Sequence, residues 1–153
     1  MLNELVAKLS PDGLPAQAMQ ETVGKVLDAI NVALQQFSEF SVQFTDGLQV
    51  LYSGANPTPV RLLSDSEKLR VGASIQVAFA RITGFGFIVV DAADRLDPAG
   101  RGALLGMLLD SGVQALVLAT PTNGNRPQAP GLAVYDLVDG HAVPAGQPGE
   151  VVA

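Results

Sequence analysis

The spacing of hydrophobic positions changes several times along this chain, and each change marks an element. Leu2, Leu5, Val6 and Leu9 recur at helical spacing until Ser10-Pro11-Asp12-Gly13 breaks the pattern. Pro15 suits a first helical turn, and Met19, Val23, Val26, Leu27, Ile30, Leu34 and Phe37 follow at three- and four-residue steps. They predict one amphipathic helix from about Pro15 to Phe37. The period then drops to two: Phe40 to Thr45 and Leu48 to Ser53 alternate on either side of Asp46-Gly47, a strong hairpin signal. Gly54 to Pro59 is expected to be a loop.

From Ser66 to Ile82 the helical period returns. Leu69, Ala73, Ile75, Gln76, Val77, Ala80 and Ile82 predict a largely buried helix with a small-residue face, stopped by Thr83-Gly84. Phe87 to Val90 is a short continuous apolar run, as expected of a strand covered on both faces. A helix is expected over Pro98 to Leu109, with Leu104, Leu105, Leu108 and Leu109 inward, and a second covered strand over Ala115 to Ala119. Such a strand–helix–strand unit is right-handed and parallel by default, and ligands gather at the carboxyl ends of its strands. Asp91 and Thr120 stand at those ends. Thr122 to Gly131 is expected to be a loop. Leu132 to Val138, Asp139-Gly140 and His141 to Val143 predict a closing hairpin, and residues 144–153 a loose tail.

Composition narrows the chemistry. At 153 residues, nearly half of them apolar, the chain has the length of one domain and can bury a core of Leu, Val, Ala and Ile. That composition fits a soluble α/β or α+β domain. There is no internal repeat and no linker. With no cysteine, disulfides, thiolate metal sites and cysteine nucleophiles are excluded. The single histidine, His141, leaves no Ser-His or multi-His zinc constellation to assemble within one chain, and its place in a hairpin turn makes it a solvated residue. A formal charge of -6 argues against an extensive phosphate-neutralising surface. No signal peptide and no membrane-length apolar run is visible, so the expected location is cytoplasmic.

Three places carry candidate chemistry. Ser64 followed by Glu67 has the form of a capping box, which needs no ligand; the same helix start, with a serine and free N–H groups, can also hold an anion. Asp91 follows four apolar residues and suits either a turn-capping role or a Mg²⁺-binding carboxylate beside phosphates. Asp97 before Pro98 is a favourable helix start.

In order and spacing these segments resemble the C-terminal half of an ABC-type ATPase head, in the branch of SMC-like and double-strand-break-repair ATPases. Leu63-Ser64-Asp65-Ser66-Glu67 resembles the signature loop, Phe87 to Asp91 the Walker B strand, and Leu96-Asp97 the D-loop. The resemblance implies an α/β, P-loop NTPase-like lobe with parallel strands flanked by helices and antiparallel hairpins, lacking the P-loop half. It implies nucleotide contacts at Ser64, Ser66 and Asp97, and Mg²⁺ at Asp91. ATP and Mg²⁺ are then expected only together with a P-loop-bearing N-terminal lobe, since no G-x-x-x-x-G-K-[ST] pattern occurs. The implied partners are that lobe and a second complete head, with DNA reached through the whole assembly and no membrane. Residues 13–143 would form the lobe, and residues 1–12 either the stump of a coiled coil or a short packed helix.

The chain departs from the family pattern at several positions. Ala92 stands where a catalytic glutamate is expected, with Asp94 two residues beyond. Asp65 and Ser66 replace the signature glycines, and Thr120-Pro121 stand where a switch histidine often occurs. No catalytic residue is assigned. Two other readings stay open: a non-catalytic interaction domain on a degenerate ATPase scaffold, and an unrelated α/β domain whose capping box and strand-end aspartate imitate the motifs.

Overall fold

A computed structural model describes residues 13–44, 50–53, 58–120 and 126–145, together with residues 6 and 10; for 50–53 it describes the backbone. The first expected helix, with its coiled-coil alternative, and the Asp46-Gly47 turn lie outside these residues, apart from Val6 and Ser10. Helix α1 spans Leu14–Leu34 with Pro15 in its first turn. It stops before Phe37 because the next residues tighten into a turn, Phe37 N donating to the Leu34 carbonyl at 3.1 Å. Phe37 itself remains buried.

Strand β1, Ser41–Phe44, leaves that turn and is fastened to α1 by one side chain. Asn31 Nδ2 donates to the Val42 carbonyl at 3.0 Å, and Asn31 Oδ1 accepts from Val42 N at 2.8 Å. The amide thus pairs with the strand much as a neighbouring strand would. On the other side β2, Val50–Ser53, pairs antiparallel with β1, Ser41 opposite Ser53. A third strand, β3, Thr58–Pro59, occupies the end of the expected loop and pairs with Leu51 and Tyr52. Proline lacks the N–H a central strand needs, and two residues at a sheet edge are where it is tolerated.

A 3-10 turn at Val60–Leu62 and the buried Leu63 then aim the chain into α2, Asp65–Thr83. Val71, Ala73, Ser74, Val77, Ala78 and Ala80 are its buried residues. These small side chains let α1 pack closely against it. Gly84, with φ 71°, ends the helix in the left-handed conformation that glycine adopts most easily. Gln76 and Ile82, expected inward, are exposed. The buried face is narrower than the apolar pattern suggested.

Strand β4, Phe87–Val90, pairs in parallel with β5, Gln114–Val117, and α3, Pro98–Ser111, connects them. The parallel unit forms as expected, but the described residues cover its sheet on one face only. Ile88 and Val90 are buried, whereas Phe87 is 37 %, Val89 41 %, Leu116 48 % and Leu118 39 % exposed. Side chains alternate across a strand, so these four share the uncovered face. In α3 the inward residues are Leu104, Met107 and Leu108; Leu109 is exposed, because the helix is rotated so that Gly100 and Ser111 also face in. The final hairpin pairs β6, Tyr135–Val138, with β7, His141–Pro144, through Asp139 and Gly140 at φ 48° and 82°. Two consecutive positive φ values match the twist of the strands they join. Pro144, expected in a tail, is the last residue of β7 opposite Tyr135.

The described elements thus form an α/β arrangement of three small sheets, one parallel and two antiparallel, with helices. No helix among the described residues is long and apolar enough to cross a membrane.

Candidate functional site

The start of α2 is the first component. Ser64 Oγ donates to Glu67 Oε2 at 2.6 Å, Ser64 N donates to the same oxygen at 2.9 Å, and Glu67 N donates back to Ser64 Oγ at 3.4 Å. This reciprocal pairing is the expected capping box. The hydrogen bonds from the Ser64 hydroxyl and N–H hold the Glu67 carboxyl below its ordinary pKa, against the opposing effect of burial, with the Arg70 charge a smaller contribution in the same direction. Ser66 Oγ lies 3.2 Å from Ser64 Oγ, so the two serines present adjacent hydroxyls. In the first turn of a helix the N–H groups of Asp65 and Ser66 have no intrahelical acceptor.

The turn that follows β4 is the second component. Asp91 is exposed, and its Oδ1 accepts from Ala92 N at 2.7 Å. Ala92 adopts φ 57°, a left-handed conformation that costs a residue with a Cβ about 1–2 kcal/mol. A 3-10 turn, Ala93–Arg95, then folds under the ends of both strands. Ala93 N donates to the Leu118 carbonyl at 3.0 Å, and Thr120 N donates to Asp94 Oδ1 at 3.3 Å. Asp94 is therefore engaged in joining this turn to the chain beyond β5. Leu96 is buried, and Asp97 caps α3 by accepting from Gly100 N at 2.7 Å.

The two components meet. Arg95 Nη1 reaches to 3.9 Å of Asp65 Oδ2, and Lys68 Nζ lies 3.9 Å from Asp65 Oδ1. The carboxylate standing in place of a signature glycine is thus flanked by two cations. Arg95 was not singled out from the sequence; a cation just before the D-loop-like pair, with an unexplained acid at the helix start, was the available signal. His141 is an exposed β7 residue, remote in the chain from these groups.

These residues fit part of a Mg²⁺–nucleotide site. Asp91 supplies one exposed carboxylate, and among the described residues no group of three acidic or histidine side chains could hold a metal alone. Octahedral Mg²⁺ is normally completed by phosphate oxygens and water, so one carboxylate is an adequate protein contribution only if a phosphate cradle comes from elsewhere.

The chain matches no protein-family model and no curated protein sequence. Among solved structures it is similar to the SMC head domain from Thermotoga maritima, at 21 % identity and a TM-score of 0.51, over 78 % of this chain and 46 % of that one. It is also similar to a chain from a study of the structural biochemistry of ATP-driven dimerization and DNA stimulated activation of SMC ATPases. There the identity is 16 % and the TM-score 0.59, over 82 % of this chain and 85 % of the other. Over most of its length the chain therefore shares its fold with the matched part of SMC head structures, and it spans less than half of the Thermotoga head domain.

Proposed function

We propose that this chain acts as the C-terminal lobe of an SMC-like ABC ATPase head, serving an ATP-gated head dimer in DNA repair or chromosome maintenance. The observation that carries this reading is the meeting of the α2 start with the Asp91–Asp97 turn through the Asp65–Arg95 contact. The likeness to SMC heads supports the same reading, as does the uncovered apolar face of Phe87, Val89, Leu116 and Leu118, a surface of the kind that another lobe covers.

In this proposal Asp91 would hold Mg²⁺, and Ser64 with Ser66 would meet the terminal phosphate of nucleotide carried by an opposing head. Asp97 would lie at the junction of the heads. Bound Mg-ATP supplies the charge that both heads contact, so it would act by joining them. The side chains of this lobe bind and orient; the phosphate loop and its lysine would come from the N-terminal lobe. Ser64→Arg, introduced into a complete head, should abolish nucleotide-dependent dimerisation measured by light scattering. Unchanged dimerisation would remove Ser64 from the site.

A second reading, a non-catalytic assembly domain, is favoured by Ala92, which puts no carboxylate directly after Asp91, while the next acid, Asp94, has one oxygen engaged by Thr120 N. Ala92→Glu in a complete head distinguishes the two. A large gain in hydrolysis would reveal an otherwise competent site, and no gain would favour assembly alone.

A further inference from the structure

Arg70 stands one helical turn after Glu67, on the same stripe of α2. It is neither the most exposed nor the best paired cation of the site, and its surroundings are unusual. Its Nη2 lies 3.0 Å from the point where a Cβ on Gly100 would stand, and Asp97 Oδ1 lies 2.7 Å from that same point. The guanidinium therefore presses against the first turn of α3 beside the aspartate that caps it. Gly100 explains how it fits there. A glycine inside a helix weakens it relative to alanine, and a Cβ at this position would require the Asp97 carboxylate, and by a smaller amount the Arg70 guanidinium, to give way.

Two further features mark Arg70 as more than filling. Its Nε is buried and has no hydrogen-bond partner among the described residues, a condition that is unfavourable unless something else holds the side chain in place. Its backbone carbonyl accepts from the hydroxyl of Ser74, a fully buried residue, at 2.9 Å, which anchors this turn of α2 in the core. The charged head is thus set between the capping box at one end of the site and Asp97 at the other.

We propose that Arg70 is a positioning residue that couples the two halves of the site, so that a change of charge at Ser64–Glu67 is felt at Asp97 and Gly100. The consequence for function rests on the nucleotide reading above. A serine hydroxyl has one proton to donate, and here Ser64 gives it to Glu67 at 2.6 Å. An anion arriving at Ser64 takes that proton donor away and leaves the Glu67 carboxylate to draw on Arg70, three residues on along the same face of α2. Arg70 then shifts its weight from the α3 side toward Glu67, and the Asp97 cap adjusts. Arrival at one end of the site is communicated to the other within a single lobe.

The coupling can be tested on the chain without nucleotide. Glu67→Gln keeps the geometry of a capping box and removes its charge. In an isotope-labelled chain this substitution should displace the Gly100 amide resonance, which reports on the bond to Asp97, well beyond its line width. In the Arg70→Met background, which keeps length and bulk without charge, the displacement should be largely lost; in Arg70→Lys it should be partly retained. A Gly100 resonance that ignores Glu67→Gln, or that responds equally with methionine at position 70, overturns the proposal. If the methionine variant does not fold, the lysine variant decides: a response undiminished from that of arginine would show that the planar, Gly100-contacting guanidinium is not needed. Because no nucleotide enters this measurement, its failure leaves the nucleotide reading standing. Absence of Mg-ATP binding, conversely, would leave the coupling standing.

Discussion

The two faces of β4 are made of the same kinds of residue and meet opposite fates. Ile88 and Val90 are buried in the core with α2 and α3, while Phe87 and Val89, their immediate neighbours in sequence, remain open together with Leu116 and Leu118. Nothing about an individual valine separates the two faces. The inner face is completed by this chain, and in the proposed account the outer face is completed by a second lobe. In the same proposal Asp91, at the end of this strand, would hold Mg²⁺ only together with phosphate oxygens and groups from another lobe.

The sharpest way to break that comparison is to shorten one side chain on each face. Ile88→Ala should destabilise the chain by about 2–5 kcal/mol through lost burial and a residual cavity. Val89→Ala, exposed, should stay within about 0.5 kcal/mol. Urea unfolding of both variants measures the difference, and similar losses would mean that the outer face is already covered in solution. Next in size are the capping residues. Asp97→Ala and Ser64→Ala should each cost about 1 kcal/mol by removing a helix cap, read as a lower urea midpoint.

Strain at the strand end offers a change of the opposite sign. Ala92→Gly should stabilise the fold by roughly 1 kcal/mol, because glycine accepts φ 57° without a Cβ clash. A gain would show that the residue after Asp91 is not chosen for the stability of this chain; a loss would assign Ala92 a packing role that its geometry does not suggest. The smallest effect concerns pH. The folded chain holds the Glu67 carboxyl below its ordinary value through its bonds to Ser64. Its contribution is therefore fully present above the unfolded pKa and disappears as pH falls through the lowered folded value. Below about pH 4.5 the stability difference between the parent chain and Glu67→Gln should shrink, since both then carry an uncharged side chain at that position.

Much of this molecule was legible where short-range rules decide the structure. Ser64 with Glu67, Asp97 with Pro98, and Asp139 with Gly140 each specify a cap or a turn within four residues, and each forms as read. The strand–helix–strand order around Asp91 was readable for the same reason. What the pattern could not reveal depends on distant neighbours. A run such as Phe87 to Val90 looks alike whether one face or two are covered, so the open face was missed. The Thr58–Pro59 strand exists only because β2 lies beside it, and the rotation of α3 that exposes Leu109 and buries Met107 is set by packing. At the site, Arg95 and Arg70 gain their meaning from Asp65 and Gly100, partners supplied by the fold rather than by adjacent sequence.

The central claim, that this lobe holds one part of a divided nucleotide site, is tested most directly by calorimetric titration of Mg-ATP. The titration is made first into the chain alone and then into the chain joined to a P-loop-bearing SMC head lobe. The account predicts no measurable heat of binding for the chain alone and saturable binding in the joined form, weakened by Asp91→Ala. Binding by the isolated chain would contradict the division of the site. No binding in a correctly folded joined form would contradict the nucleotide role itself and leave the assembly-domain reading.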